Sequence, residues 1–205
     1  MKKNILFILL SVFLFFLNNL CFAEDFYFEG DEIEIINNGE ILKSNKGVQI
    51  TSSSGVVITA QEFEYNKKNL ELSVNNNVLI NDKINNLIIK TNRVKYFKNI
   101  EEIQTFEDTE IKIEKNIIIT TKNLIYSRNL NEIKSKYKTS VMDSYENIFI
   151  TDDFVLNTSS KVLKAKDVKL KDSYGNVSYF KSFFSNIKVN EFYGKDIKMN
   201  FSNKS

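Results

Sequence analysis

The sequence contains no histidine, no tryptophan, no proline and one cysteine, Cys21. Without histidine it lacks the commonest general base and the commonest zinc ligand, so enzymatic and metal-centred readings start weak and neither a cofactor nor a metal is expected. Cys21 lies in an N-terminal segment expected to be removed, which leaves the exported part without a disulfide; packing and strand pairing must hold it together. After residue 24 there is no window of sustained helical periodicity, no charge block and no Gly/Ser linker, so residues 24–205 read as one domain.

The N-terminus carries Lys2 and Lys3, an apolar run from Ile5 to Leu17, then Asn18, Asn19 and Cys21-Phe22-Ala23. This run of 13 residues falls short of the roughly 20 that a spanning helix needs. Residues 1–23 therefore read as a signal peptide cleaved before Glu24. Loss of Lys2 and Lys3 leaves 26 basic and 26 acidic residues, a formal charge of zero that argues against a nucleic-acid partner.

Alternation is the dominant pattern. It runs through Glu32-Ile33-Glu34-Ile35, Leu70-Glu71-Leu72-Ser73-Val74, Ile111-Lys112-Ile113-Glu114 and Val168-Lys169-Leu170-Lys171. Period two puts apolar side chains on one face and charged ones on the other, so these are half-buried strands. Asn37-Asn38-Gly39, Ser52-Ser53-Ser54-Gly55, Asn75-Asn76-Asn77 and Gly175-Asn176 read as turns between them.

The strands recur at a nearly fixed interval. Tyr65, Tyr96 and Tyr126 stand 31 and 30 residues apart, each seven positions after an isoleucine (Ile58, Ile89, Ile119), and the frame extends to Phe28 with Ile35 and to Phe149 with Leu156. Asp82 recurs as Asp143 and approximately as Asp172. A fixed period implies stacked units, each covering the apolar face that its neighbour leaves open.

The segment Ala60-Gln61-Glu62-Phe63-Glu64-Tyr65-Asn66, followed by Asn77-Val78-Leu79-Ile80-Asn81-Asp82, resembles the repeating unit of the OstA-like superfamily of lipopolysaccharide transport proteins. Gly30 to Ile35 and Gly194 to Met199 resemble looser copies. The resemblance implies an all-β, open twisted β-jellyroll built from stacked repeats of about 30 residues, located in the periplasm or associated with the outer membrane. It implies a groove for the acyl chains of lipopolysaccharide, lined by Phe63, Tyr65, Val78, Ile80, Val94, Tyr96, Ile111, Ile113, Leu124 and Tyr126. Lys95 and Lys112 would sit at its rim. It implies as partners lipopolysaccharide itself and other OstA-like domains, joined by edge-strand addition. The expectation is of a free-standing bridge-like protein, or of the N-terminal part of a split assembly protein.

Two other readings stay open: a small outer-membrane β-barrel, which the lack of tryptophan and the uniform period disfavour, and an interaction module with a sealed core. A glycan-cleaving β-helix is disfavoured because Asp152 and Asp153, adjacent on a strand, point to opposite faces.

Overall fold

The computed structural model describes residues 25–114 and 116–200; the expected signal segment 1–23 and the end of the last copy at Phe201 lie outside them. The strands form one antiparallel network that is folded lengthwise into two layers. Layer A runs β1 (Phe26–Glu29), β4 (Val48–Ser52), β5 (Val56–Ala60), β7 (Glu71–Asp82), β8 (Leu87–Phe97), β10 (Asp108–Ile113), β11 (Ile117–Lys122), β14 (Thr139–Met142), β15 (Ile148–Thr151), β17 (Val162–Lys171), β18 (Val177–Asn186) and β20 (Lys198–Asn200), each paired with the next. Layer B begins with β2 (Glu34–Ile36), β3 (Ile41–Ser44) and β6 (Glu62–Asn66) and takes the first half of β7 and the second half of β8. It continues through β9 (Glu102–Thr105), β12 (Ile125–Ser127), β13 (Glu132–Ser135) and β16 (Asp153–Asn157), the first half of β17 and the second half of β18, to β19 (Glu191–Lys195).

The chain thus makes passes that each cross both layers and bend between them, along a spine. Most bends are short connections such as Asp152. At Asn75-Asn76-Asn77, read above as a turn between strands, β7 instead continues through a bulge, with Asn76 and Asn77 at φ 63° and 55°. Asparagine tolerates that left-handed backbone, which lets one strand change layer without ending. Opposite the spine, hairpin turns of layer A face hairpin turns of layer B across a mouth.

Register explains the period. Phe28, Ile50, Ile58, Ile80, Ile89, Ile111, Ile119, Val141, Phe149 and Leu170 form one row of paired positions across layer A. Leu42, Tyr65, Leu72, Tyr96, Ile103, Tyr126, Ile133, Leu156 and Leu163 form the matching row in layer B. Both rows point inward and pack as one continuous core. Thirty residues are two passes, so each tyrosine returns on every second strand. Full burial of one such aliphatic side chain, such as Leu72, contributes roughly 1.5–3 kcal/mol.

Near the spine the buried positions are hydroxyls. Thr109 donates to Thr105 (2.8 Å) and Thr121 bonds Thr139 (2.7 Å), while Thr151 donates to the Lys166 carbonyl (2.6 Å). Threonine suits such sites because it favours a pleated strand and satisfies its own hydroxyl where the ladder bends. Among the described residues β1 pairs only with β4 and β20 only with β18, so the sheet does not close into a barrel.

Candidate functional site

The mouth is where polar chemistry concentrates. On its A side, Asp82, Asp143 and Asp172 each open a hairpin turn and accept from an asparagine side chain that follows: Asn85 (2.9 Å), Asn147 (2.9 Å) and Asn176 (2.8 Å). Their recurrence in the sequence is therefore turn chemistry, a carboxylate bonding its own loop. On the B side every turn ends on a residue in the left-handed region: Gly39 (φ 89°), preceded by Asn37 and Asn38 in the same region, Leu70 (52°), Glu101 (52°), Asn131 (51°), Lys161 (59°) and Asn190 (54°). Glycine and asparagine accept that conformation readily, whereas an ordinary side chain costs about 1–2 kcal/mol there. Glu101 and Lys161 carry that cost, and both reach across the mouth.

Among the described residues, four clasps join the lips. Ser54 on lip A donates to Glu101 on lip B at 3.0 Å, and Asp82 accepts from Arg128 Nε at 2.7 Å. Glu114 pairs with Lys161 at 2.9 Å, and Asn147 donates to Asn190 Oδ1 at 2.9 Å. Each joins an A turn to the B turn three hairpins further along the chain, and that constant skew is what two twisted layers produce.

The first two clasps merge into one network. Glu101 accepts from Lys98, from Arg128 and from the Tyr96 hydroxyl (2.6 Å) as well as from Ser54. Asp82 accepts also from the Tyr126 hydroxyl at 2.9 Å, and Arg128 donates to the Ser54 carbonyl at 3.1 Å. The Arg128 and Asp82 side chains are 8% and 0% exposed. Burial works to raise the pKa of Asp82, but hydrogen bonds from Arg128, Asn85 and Tyr126 outweigh it and hold the carboxyl below its ordinary value. The same contest, won by Lys98, Tyr96, Arg128 and Ser54, lowers that of Glu101. Burial and then the Glu101 hydrogen bond push Tyr96 up to about 12. Burial would lower the pKa of Arg128, but its bonds to Asp82 and Glu101 raise it further. The cation stays charged and doubly paired throughout the neutral range.

The structure brings all ten expected lining residues together. Phe63, Tyr65, Val78, Ile80, Val94, Tyr96, Ile111, Ile113, Leu124 and Tyr126 are each 4% exposed or less and belong to the one core. They pack against one another, and the hydroxyls of Tyr96 and Tyr126 serve the clasp network. Lys95 and Lys112 are not at the rim. They point outward from strand middles, paired with Glu71 (2.5 Å) and Glu110 (3.4 Å). Arg128 and Glu101 were missed by the sequence reading. A signal was present: Arg128 is one of two arginines against 26 lysines, and a planar, forked donor is what a doubly paired buried cation requires.

The interior comes to the surface at the β18–β20 end. A cavity of about 420 Å³ lies there, lined by Leu170, Phe180, Phe192, Ile197 and Met199 among others. Phe192, Ile197 and Met199 are 37%, 48% and 52% exposed. Gly194 faces this cavity because a Cβ there would run into the Phe180 ring.

No protein-family model matches the sequence, and no curated protein matches it. Among solved structures, this chain is similar to LptH of Pseudomonas aeruginosa, described as the LptA-homologous periplasmic component of the conserved lipopolysaccharide transport device. The match has 12% identity and a TM-score of 0.29, and covers 86% of this chain and 94% of that one. At that score the likeness is loose, and the fold rests on the strand pairing given above.

Proposed function

We propose that this chain is a periplasmic carrier that shields the acyl chains of lipopolysaccharide between its two layers. The observation that carries the reading is an apolar interior, continuous along the whole stack, that opens to solvent at the β18–β20 end. An exposed methylene costs about 0.8 kcal/mol, so several acyl chains crossing water uncovered would cost tens of kcal/mol. The sequence resemblance supplies the identity of the lipid. Phe192 and Met199 receive the first chain, and the ten lining residues meet lipid further in as the layers part. The strands at the two ends of each layer, β1, β2, β19 and β20, have one neighbour apiece among the described residues and are the edges to which further OstA-like domains add. No nucleotide is needed in this chain, because holding lipid is passive.

A second reading is favoured by the clasp network and by the complete burial of Tyr96: an interaction module whose interior stays sealed. Photo-crosslinking separates the two. A crosslinking residue is placed at Phe192, at Tyr96 or, facing outward, at Lys95 in the exported protein, and lipopolysaccharide adducts are sought after illumination. The carrier gives adducts at Phe192 and none at Lys95, and adducts at Tyr96 as well if lipid passes the clasp. Folded protein without adducts at Phe192 overturns the carrier and leaves the sealed module.

A further inference from the structure

The largest concavity among those described does not belong to the interior. It lies on the outward face of layer B near its C-terminal end, with a volume of about 630 Å³, within the range of small-molecule sites. Two outward register rows form it. Val155, Lys164, Phe184 and Tyr193 are successive partners in one, and Asp153, Lys166, Ser182 and Lys195 in the other. The floor is apolar: the Phe184 and Tyr193 rings lie 6.1 Å apart beside Val155. The rim is cationic. Its one carboxylate, Asp153, is held by Lys136 at 3.0 Å, while Lys164, Lys166 and Lys195 have no acidic partner among the described residues.

The surrounding field has the same sign. Residues 24–114 contain 17 acidic and 10 basic side chains, residues 115–205 contain 9 and 16, so the two halves of a neutral chain differ strongly in charge. Aromatic rings left in water beneath unpaired lysines are a mismatch that an anion with an apolar tail resolves, its tail covering the rings and its head meeting the ammonium groups. An acidic polypeptide fits less well. Strands β16, β17 and β18 beneath the floor already have partners on both sides, and only β19 at the cleft's margin keeps an open edge, so a peptide lying in the cleft would find no backbone partners along its floor.

We infer that this outward cleft is a second binding site, separate from the interior, for a single-chain anionic amphiphile. The inference does not rest on the carrier reading, since it uses the opposite face of the sheet. It is tested by titrating full-length exported protein with monomeric dodecyl phosphate, dodecyl maltoside and inorganic phosphate while following the resonances of Phe184, which lines the outward cleft and not the interior cavity, and of Met199, which lines the interior cavity and not the cleft. Dodecyl phosphate shifts Phe184 and leaves Met199 in place, and the neutral amphiphile and inorganic phosphate each bind at least about tenfold more weakly. Lys164→Glu with Lys166→Glu, both at exposed positions, weakens dodecyl phosphate by a similar factor while the rest of the spectrum persists. Equal binding of the two amphiphiles overturns the site, as does affinity untouched by the charge reversals. Shifts confined to Met199 place the amphiphile in the interior and overturn it too. Vesicles of phosphatidylglycerol that bind while the monomer does not would make the face a membrane-docking surface instead.

Discussion

At the N-terminal end Phe26 is 2% exposed and meets Tyr65 and Tyr96 edge-on at 5.0 and 5.4 Å, with Phe28 stacked on Phe63 at 4.9 Å. At the C-terminal end the corresponding aromatic group is Phe149, Phe180, Phe183 and Phe192, of which Phe192 is 37% exposed at an apolar cavity. The clasps follow the same gradient. Asp82–Arg128 is buried and charged, Ser54–Glu101 is part-buried and charged, Glu114–Lys161 has its glutamate 55% exposed, and Asn147–Asn190 is neutral. One backbone plan, repeated, is therefore held shut firmly at one end and lightly at the other. Side chains at the mouth, where pairing imposes no register, make that difference.

The largest effect expected is from Arg128→Met, which leaves Asp82 and Glu101 buried without their shared cation; removing one partner of a buried pair costs roughly 3–5 kcal/mol. Denaturant unfolding measures it, and a loss under about 1 kcal/mol would put the firm closure elsewhere.

Next in size is a pH response. The folded-state pKa values of Asp82 and Glu101 are depressed, so their contribution is complete above the ordinary carboxylate range and is lost as pH falls through the lowered values. Tyr96 is raised to about 12, so its contribution is complete below its ordinary value of 10.0 and is lost as pH rises between the two. Hydrogen exchange at Glu101 and Arg128 should accelerate in acid before exchange at Asn190 does. Simultaneous acceleration at both ends would erase the contrast.

Smallest is Asn190→Gly, which keeps the left-handed turn and removes only the neutral clasp, for about 0.5–1.5 kcal/mol. Because this loosens the lightly held end, lipid crosslinking at Phe192 should rise. Unchanged crosslinking with a measurable loss of stability would mean that the C-terminal clasp does not limit access.

Much of this was legible beforehand. The period of Tyr65, Tyr96 and Tyr126 and the isoleucines seven residues earlier gave both inward rows, because register ties each strand to the next; it failed at Ile35, which pairs with Leu42 on the end strand β2 but is 67% exposed. The ten residues that the resemblance implied as a lining all face inward and lie in the one core. The bend at Asn75-Asn76-Asn77 was misread because asparagines with positive φ serve a turn and a bulge equally well. The clasps were not legible at all: they join residues 43 to 47 positions apart, an offset set by how far two twisted layers skew, which no local pattern encodes. The outward cleft was not legible either, because the register that sets Lys164 beside Phe184 and Tyr193 joins three separate strands.

Every pass pairs only with the passes before and after it, so the order of strands across the stack is the order of synthesis. A chain delivered to an aqueous compartment N-terminus first could complete each rung as it emerged, without waiting for distant sequence to close a sheet. Arg128, arriving with the turn after β12, would then reach back to Asp82, Glu101 and the Ser54 carbonyl. Its arrival would lock the rungs already laid, like a pawl behind a ratchet, while those still to come remained free to form.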